Sequence, residues 1–430
     1  MAKKRSSPHA LRIGFVSTRF GATDGVSLET EKWATVLEKM GHTCFYFAGQ
    51  SNRDAQHSYT VAEADFRHPE NQQISEVLFT ASSRPPEVTR RIHEIADYLK
   101  GHLETFVRQF EIDLLIVENA LTIPMQIPLG IALTEFISET SFPTIAHHHD
   151  FYWERQRFFT NCIWDYLSMA FPPPLPSIQH VVINSIAGSE LSRRTGISPV
   201  LIPNVMDFQT PPPPADPYTH AVRSDLGIEL GEYLFLQPTR VVQRKGIEHA
   251  IELVSRLGTK ARLVVSLASG DEGYEYEQRV RRFAELLKVP VNFVSDIIKD
   301  RRGSTPDGRK IYSLWDVYPY ADIVTYPSSI EGFGNAFLET IYFKRPIVVN
   351  NYSIFQVDIQ PKGFQVIEFD NYITDATVRA TQKALEDKQW VHEMVEQNYD
   401  LGRRFYSFAV LERRLWVLAA ECFGENLSFV

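Results

Sequence analysis

The chain has 430 residues, 44% of them hydrophobic and 23% charged, which is apolar material for two or three buried cores at ~100–200 residues per domain and excludes a chain disordered throughout. Its 44 Lys and Arg against 53 Asp and Glu give a formal charge of -9, which excludes the broad basic field of a duplex-binding protein, so nucleic acid is not expected as a partner. The same sign argues against broad attachment to an anionic membrane, and any phosphate chemistry must rest on a few local cations.

Met1 to Ala10 is polar and basic, and the apolar stretch Leu11 to Val16 is short and interrupted by Arg12, so no signal peptide is expected. Arg12 to Ser17 reads as a strand and Thr18 to Gly25 as a loop. Val26 to Met40 reads as a helix on the spacing of Val26, Trp33, Val36, Leu37 and Met40, with Gly41 placed to stop it. Thr43 to Phe47 is again strand-like, so a β-loop-α-β unit opens a parallel sheet. Val88 to Phe110 is an amphipathic helix carrying Ile92, Ile95, Leu99, Leu103 and Phe106. Asp113 to Val117, Phe142 to Ala146, His180 to Ile183 and Pro199 to Ile202 complete the strands of this half.

Thr210 to Pro217, TPPPPADP, cannot continue a helix or a central strand. It divides the chain near its midpoint into an N-terminal domain at 1–209, a linker at 210–217 and a second domain at 218–400, followed by C-terminal helix at 401–430. Alternation restarts after the linker. Strands are expected at Tyr233 to Gln237, Ala261 to Ser266, Val291 to Val294, Asp322 to Tyr326 and Pro346 to Val349. Helices are expected at Gly246 to Leu257, Gly273 to Leu287 and Asn335 to Phe343, and Val378 to Phe423 is mostly helical. The expected fold class is α/β, with two Rossmann-like parallel-sheet domains facing across a cleft, and ligands outside the C-terminal ends of the strands.

Glu331 to Glu339, EGFGNAFLE, is the strongest chemical signal. It joins a strand end to a helix start, where Gly332 and Gly334 let a ligand approach the backbone and Asn335 opens the helix. The helix N-terminus favours an anion such as a diphosphate, and both carboxylates are good acceptors for sugar hydroxyls. An isolated E-x7-E is a common chance spacing; the surrounding sequence is what gives it meaning. Pro238-Thr239-Arg240 with Lys245-Gly246 supplies two cations at a strand end, the local positive charge that an acidic phosphate-handling chain requires. Gly21 to Val26, GATDGV, is a strand-to-helix turn with Gly25 before the helix, and no dinucleotide or P-loop fingerprint exists in the chain. His147 to Phe158, HHHDFYWERQRF, follows a strand. Three consecutive histidines do not easily point at one ion, so no metal is expected there, and His149 beside Asp150 is read as a hydrogen-bonding group for substrate. Arg155 and Arg157 suit an anionic acceptor, or pair with Glu154 or Asp150. Three scattered cysteines, Cys44, Cys162 and Cys422, give neither a disulfide framework nor a zinc site. With no apolar run of about 18 residues for a transmembrane segment, a cytoplasmic location is expected.

Together these segments resemble the GT-B retaining glycosyltransferases of the family 4 type. The resemblance rests on Asp24-Gly25-Val26, His149-Asp150, Ile202 to Asp207 (IPNVMD), Pro238-Thr239-Arg240, Arg244-Lys245-Gly246, Tyr326-Pro327-Ser328 and Glu331 to Glu339 in that order. It implies a nucleotide-diphosphate sugar donor of GDP-mannose or UDP-glucose type and no metal or other cofactor. It implies Arg240 and Lys245 on the diphosphate, Glu339 on the ribose, and Glu331 with the backbone of Gly332, Phe333 and Gly334 on the sugar. His149 would contact the sugar, Gly25 would lie near the diphosphate and acceptor, and the C-terminal helices, including Arg403 to Cys422, would return to the first domain. Val205 stands where the family often has Gly, and Pro346 to Asp358 lacks the common G-G-x-x-E pattern, which marks a distinct subgroup. A weak similarity to enzymes that mannosylate small sugar acids suits Arg155 and Arg157, with a small sugar acid or a glycan as acceptor. The alternatives are a sugar-nucleotide epimerase on the same scaffold and a non-catalytic sugar-nucleotide-binding protein; a nicotinamide dehydrogenase is disfavoured by the missing fingerprint.

Overall fold

The computed structural model describes residues 10–21, 25–269 and 274–423. Asp24 and Gly273 lie outside the described residues. The chain divides into two compact units: one runs to Asn204 and resumes at Phe408, and the other is Val205–Ser407.

The first unit has seven strands, β1 (Arg12–Val16), β2 (Thr43–Ala48), β3 (Ser58–Thr60), β4 (Leu114–Glu118), β5 (Thr144–His148), β6 (Ile178–Val182) and β7 (Val200–Leu201). They form one parallel sheet in the order β3-β2-β1-β4-β5-β6-β7. The crossovers carry α1 (Gly25–Lys39), α2 (Pro69–Leu78), α3 (Pro86–Gln109), α4 (Ile127–Thr140), α5 (Trp164–Ala170) and α6 (Ser185–Thr195). β4 is buried at every position, as a central parallel strand covered on both faces must be. The buried side chains of α3, Ile92, Ile95, Ala96, Leu99, Leu103 and Phe106, repeat at three and four residues and make one apolar stripe. α4 was not expected: ten of its residues are buried, with no break from Ile127 to Thr134, so it packs between α3 and α5 and its first two turns give no period.

The second unit contains β8 (Tyr233–Gln237), β9 (Ala261–Val265), β10 (Val291–Phe293), β11 (Ile298–Lys299), β12 (Gly303–Ser304), β13 (Lys310–Ser313), β14 (Ile323–Tyr326), β15 (Ile347–Asn350) and β16 (Ile367–Phe369). Its main sheet is parallel, in the order β10-β9-β8-β14-β15-β16, and a small three-stranded sheet β11-β13-β12 stands beside it. The helices are α7 (Val222–Asp225), α8 (Ile247–Leu257), α9 (Glu275–Leu287), α10 (Leu314–Val317), α11 (Asn335–Tyr342), α12 (Asp375–Glu386) and α13 (Lys388–Tyr406). The chain then returns to the first unit, where α14 (Phe408–Phe423) packs on α1 through buried Phe408, Leu411, Leu415 and Leu418.

Both main sheets have the doubly wound order expected of Rossmann-like domains. In each, the strand order reverses once, at β1/β4 in the first unit and at β8/β14 in the second, and such a reversal opens a crevice at the strand C-termini. The chain enters the second unit ahead of the proline run. The Met206 N–H donates to the Tyr406 carbonyl at 2.8 Å, and Phe208, 2% exposed, packs edge-on against Tyr342 and Tyr399. These anchors precede Thr210, so the prolines continue a segment already fastened down.

Candidate active site

The switch point of the second unit carries the cations and the loop that the sequence singled out. Gln237 ends β8, and its side chain accepts a hydrogen bond from Thr325 of β14 at 2.7 Å and donates to Thr239 at 2.8 Å. This buried polar bridge joins the two strands on either side of the crevice. The chain then passes Arg240, which is exposed and whose guanidinium makes no hydrogen bond or ion pair with a described residue. Lys245 follows, and its ammonium donates to Glu331 Oε1. The Lys245 and Glu331 side chains are 10% and 9% exposed, so the pair is largely withdrawn from water. Arg244, absent from the predicted set, donates to Glu331 Oε2 at 3.4 Å and to the Ile330 carbonyl at 3.2 Å. Burial works against the charge on Glu331, but the ammonium of Lys245 and the guanidinium of Arg244 hold its carboxyl below the usual range. Burial pulls the Lys245 ammonium down, and Glu331 opposes that.

Gly246 is required where it stands. Its φ is +56°, and a Cβ there would meet the Pro327 carbonyl oxygen at 2.6 Å, so α8 and the loop after β14 touch backbone to backbone. Gly334 is the second such place. It caps α11 at φ +119°, and a Cβ would lie 2.7 Å from Tyr352 Oη. Tyr352 Oη donates to the Phe333 carbonyl at 2.8 Å, and Phe333 packs edge-on against Tyr406. The loop Glu331 to Gly334 is therefore built over a floor of buried tyrosines, with exposed Gly332 at its top. Asn335 begins α11, whose N-terminus faces this loop. Glu339, one turn further on, accepts from Tyr318 Oη at 2.8 Å and is partly exposed.

The first unit gathers a separate group at its own switch point. Gly25 is exposed and starts α1 after β1. Glu118 ends β4, directly opposite His147 in the parallel register. Side chains alternate along a strand, so His147 and His149 lie on one side and His148 on the other. His147 Nδ1 lies 3.0 Å and His149 Nε2 2.9 Å from Glu118 Oε2, and Glu118 and His147 are fully buried. His148 turns instead to His180, at 2.9 Å, and to Thr122. Two of the three histidines thus do converge. Together with Glu118 they offer ligand atoms within 4.8 Å of one another, and hydrogen bonds to the central carboxylate account for that arrangement. Burial pushes the Glu118 carboxyl up, but the charge and hydrogen bond of His147 and the hydrogen bond of His149 hold it down at about 2. Burial likewise opposes a charged His149, and its hydrogen bond to Glu118 together with the charges of Glu118, Glu29 and Asp150 raises it.

Asp150 pairs with Arg155 and accepts from Asn119 Nδ2 at 2.8 Å. Arg155 is therefore engaged, whereas Arg157 lies over the Phe158 ring at 4.5 Å and has no ion pair with a described residue. Glu118 and Asn119 are the site residues that sequence reasoning missed. Their signal was a single acidic residue closing an apolar strand, which carries no local pattern. Arg244 stood inside the quoted segment and was passed over. Among the described residues, no helix is long and apolar enough to cross a membrane.

No protein-family model matches the chain. It is 34% identical to the mannosylglucosylglycerate synthase of Thermotoga maritima over 94% of this chain and 98% of that protein. It is 30% identical to the mannosylglucosylglycerate synthase of Petrotoga mobilis over 92% of this chain and 98% of that one. Among solved structures, it resembles a glycosyltransferase from Rickettsia africae with a TM-score of 0.67 at 14% identity, covering 97% of this chain and 99% of that one. It resembles a sucrose-phosphate synthase from Thermosynechococcus elongatus with a TM-score of 0.65 at 14% identity, covering 96% and 99%. At such identities these two likenesses concern the fold.

Proposed function

The chain belongs to the family of the mannosylglucosylglycerate synthases and is a glycosyltransferase of GT-B fold, and from that premise we propose that it moves a mannosyl group from a GDP-mannose-type donor to a hydroxyl of a glucosylglycerate-type acceptor, with retention at the anomeric carbon and without a bound metal. The observation that carries this reading is the Lys245–Glu331 pair at the β8/β14 reversal, beside the N-terminus of α11.

In this reading the bond between the anomeric carbon and the diphosphate breaks, and the acceptor oxygen forms the new bond on the same face. The acceptor proton passes to the departing diphosphate oxygen. Negative charge grows on the diphosphate, so cations and helix N–H groups are the groups that accelerate the step. Arg240 and Lys245 serve the diphosphate, Glu339 the ribose, and Glu331 with the backbone of Gly332, Phe333 and Gly334 the sugar hydroxyls. His149 contacts the transferred sugar, and Gly25 lies by the diphosphate. Arg157 is the cation for the acceptor carboxylate, with Asp150 and Arg155 beside it. A double displacement needs a carboxylate free to attack the anomeric carbon. Glu331 is held by Lys245 and Arg244, which favours the single-face route.

The test offers GDP-mannose or UDP-glucose with glucosylglycerate or glucosyl-3-phosphoglycerate, with and without EDTA. An α-mannoside made from GDP-mannose and glucosylglycerate in EDTA is expected. A β-linked product, a requirement for metal, or use of UDP-glucose alone would each overturn the corresponding part. Donor turnover with no acceptor present would favour the epimerase.

A further inference from the structure

Glu118 and Asn119 are consecutive residues from the end of β4, and both act on His149. The Glu118 carboxylate accepts from His149 Nε2 at 2.9 Å, and the Asn119 side-chain oxygen accepts from the His149 backbone N–H at 3.0 Å. Asn119 sits at φ +60°, the left-handed turn that brings its side chain back toward β5, and its amide nitrogen reaches Asp150. The carboxylate is itself fixed. His147 donates to it from the neighbouring strand and stacks on Trp33 of α1 with ring centroids 4.2 Å apart. β4 and β5 therefore meet on one carboxylate, and α1 packs against the His147 ring that holds it.

A carboxylate only accepts, so the bond to Glu118 puts a proton on His149 Nε2. The other ring nitrogen, Nδ1, makes no hydrogen bond with a described residue. The ring is 8% exposed, so it cannot turn freely to present either nitrogen. We propose that Glu118 is the positioning residue of this enzyme, with Asn119 as its partner: they lock the ring and backbone of His149 so that Nδ1 is the nitrogen offered to the transferred sugar. Glu118 acts through His149 and does not touch substrate. This inference rests on the sugar contact proposed for His149 above.

The test compares Glu118→Gln, Asn119→Gly, His149→Asn and the Glu118→Gln/His149→Asn pair. Ring 1H–15N spectra of histidine-labelled protein need no substrate. Recorded at a pH high enough for the ring to be neutral, they should show a ring, identified by its loss in His149→Asn, protonated on Nε2 in the wild type and of mixed tautomer in Glu118→Gln. Mannosyl transfer should fall in kcat by roughly 10-fold or more in Glu118→Gln, as expected for coupled members of one network, while the double variant matches His149→Asn alone. Asn119→Gly keeps the left-handed backbone at no steric cost and should fall in the same direction, so it carries the test if Glu118→Gln does not fold. Effects that multiply in the double variant would overturn the proposal, as would an unchanged tautomer. One equivalent of tightly bound metal on the wild type, lost in Glu118→Gln, would overturn it too, by making Glu118 a ligand. A wild type that transfers nothing from GDP-mannose refutes the proposed reaction, and the ring spectra still decide the positioning.

Discussion

Exchanging Lys245 for Met removes a charge and keeps the stem. It leaves Glu331, 9% exposed at its side chain, with Arg244 at 3.4 Å as its remaining ion-pair partner. Breaking a buried ion pair from one side costs ~3–5 kcal/mol, because the remaining charge loses its compensation. Arg244 stays in place, so the lower end, about 3 kcal/mol, applies. For a unit of this size that is a fall in melting temperature of roughly 6–12 °C. Adding Glu331→Gln removes the stranded charge, and replacing both members of such a pair is often near neutral. The double variant should therefore recover most of the stability. It should not recover turnover, since the diphosphate still lacks its cation. Calorimetry and kcat on the two single variants and the double variant separate the roles. Equal melting temperatures for Lys245→Met and the double variant would refute the buried-pair reasoning. Restored turnover in the double variant would refute the assignment of Lys245 to the diphosphate.

Gly334→Ala places a Cβ 2.7 Å from Tyr352 Oη at φ +119°, so a loss of about 1–3 kcal/mol and a higher Kd for donor are expected, read by thermal shift and calorimetric titration. Glu339→Gln should raise the donor Kd with little change in kcat, and an unchanged Kd would remove Glu339 from the ribose. Arg157→Ala should raise KM for the acceptor and leave the donor Kd unaltered, which initial-rate kinetics will show. The Glu118 carboxyl is held at about 2 against an ordinary 4.5; a depressed carboxyl stabilises the fold above the ordinary value, and that contribution is lost as pH falls toward 2. Acid unfolding followed by circular dichroism should accordingly be shallower between about pH 4.5 and 2 in Glu118→Gln than in the wild type.

The sequence was most legible where local pattern and burial agree. Tyr233–Gln237 is a strand from its first residue to its last, and the stripe on Pro86–Gln109 announced a helix. Asn335–Tyr342 was readable because glycines and a strand end set its start. Ile127–Thr140 was not, because its residues from Ile127 to Thr134 are all buried and such a run has no period. The strand pairs at Ile298–Ser313 are two to four residues long, below the length at which alternation registers. The same limit applies to the sites. Arg240, Lys245 and Glu331 stand in recognisable neighbourhoods. The partnership of Lys245 with Glu331, and of Glu118 with two histidines, joins residues far apart in the chain, and only the strand register supplies it.

The return of α14 to the first unit reverses the order in which the molecule is completed. Val205–Ser407 is one uninterrupted stretch and has all its parts once Ser407 is made. The older half still lacks the helix that covers α1. The half synthesised first is thus the half finished last, and until Phe408–Phe423 arrives the part of α1 that receives it has no cover. A fragment that ends at the proline run would share that uncovered part, whereas the second unit cut at 205 and 407 would lose none of its own elements.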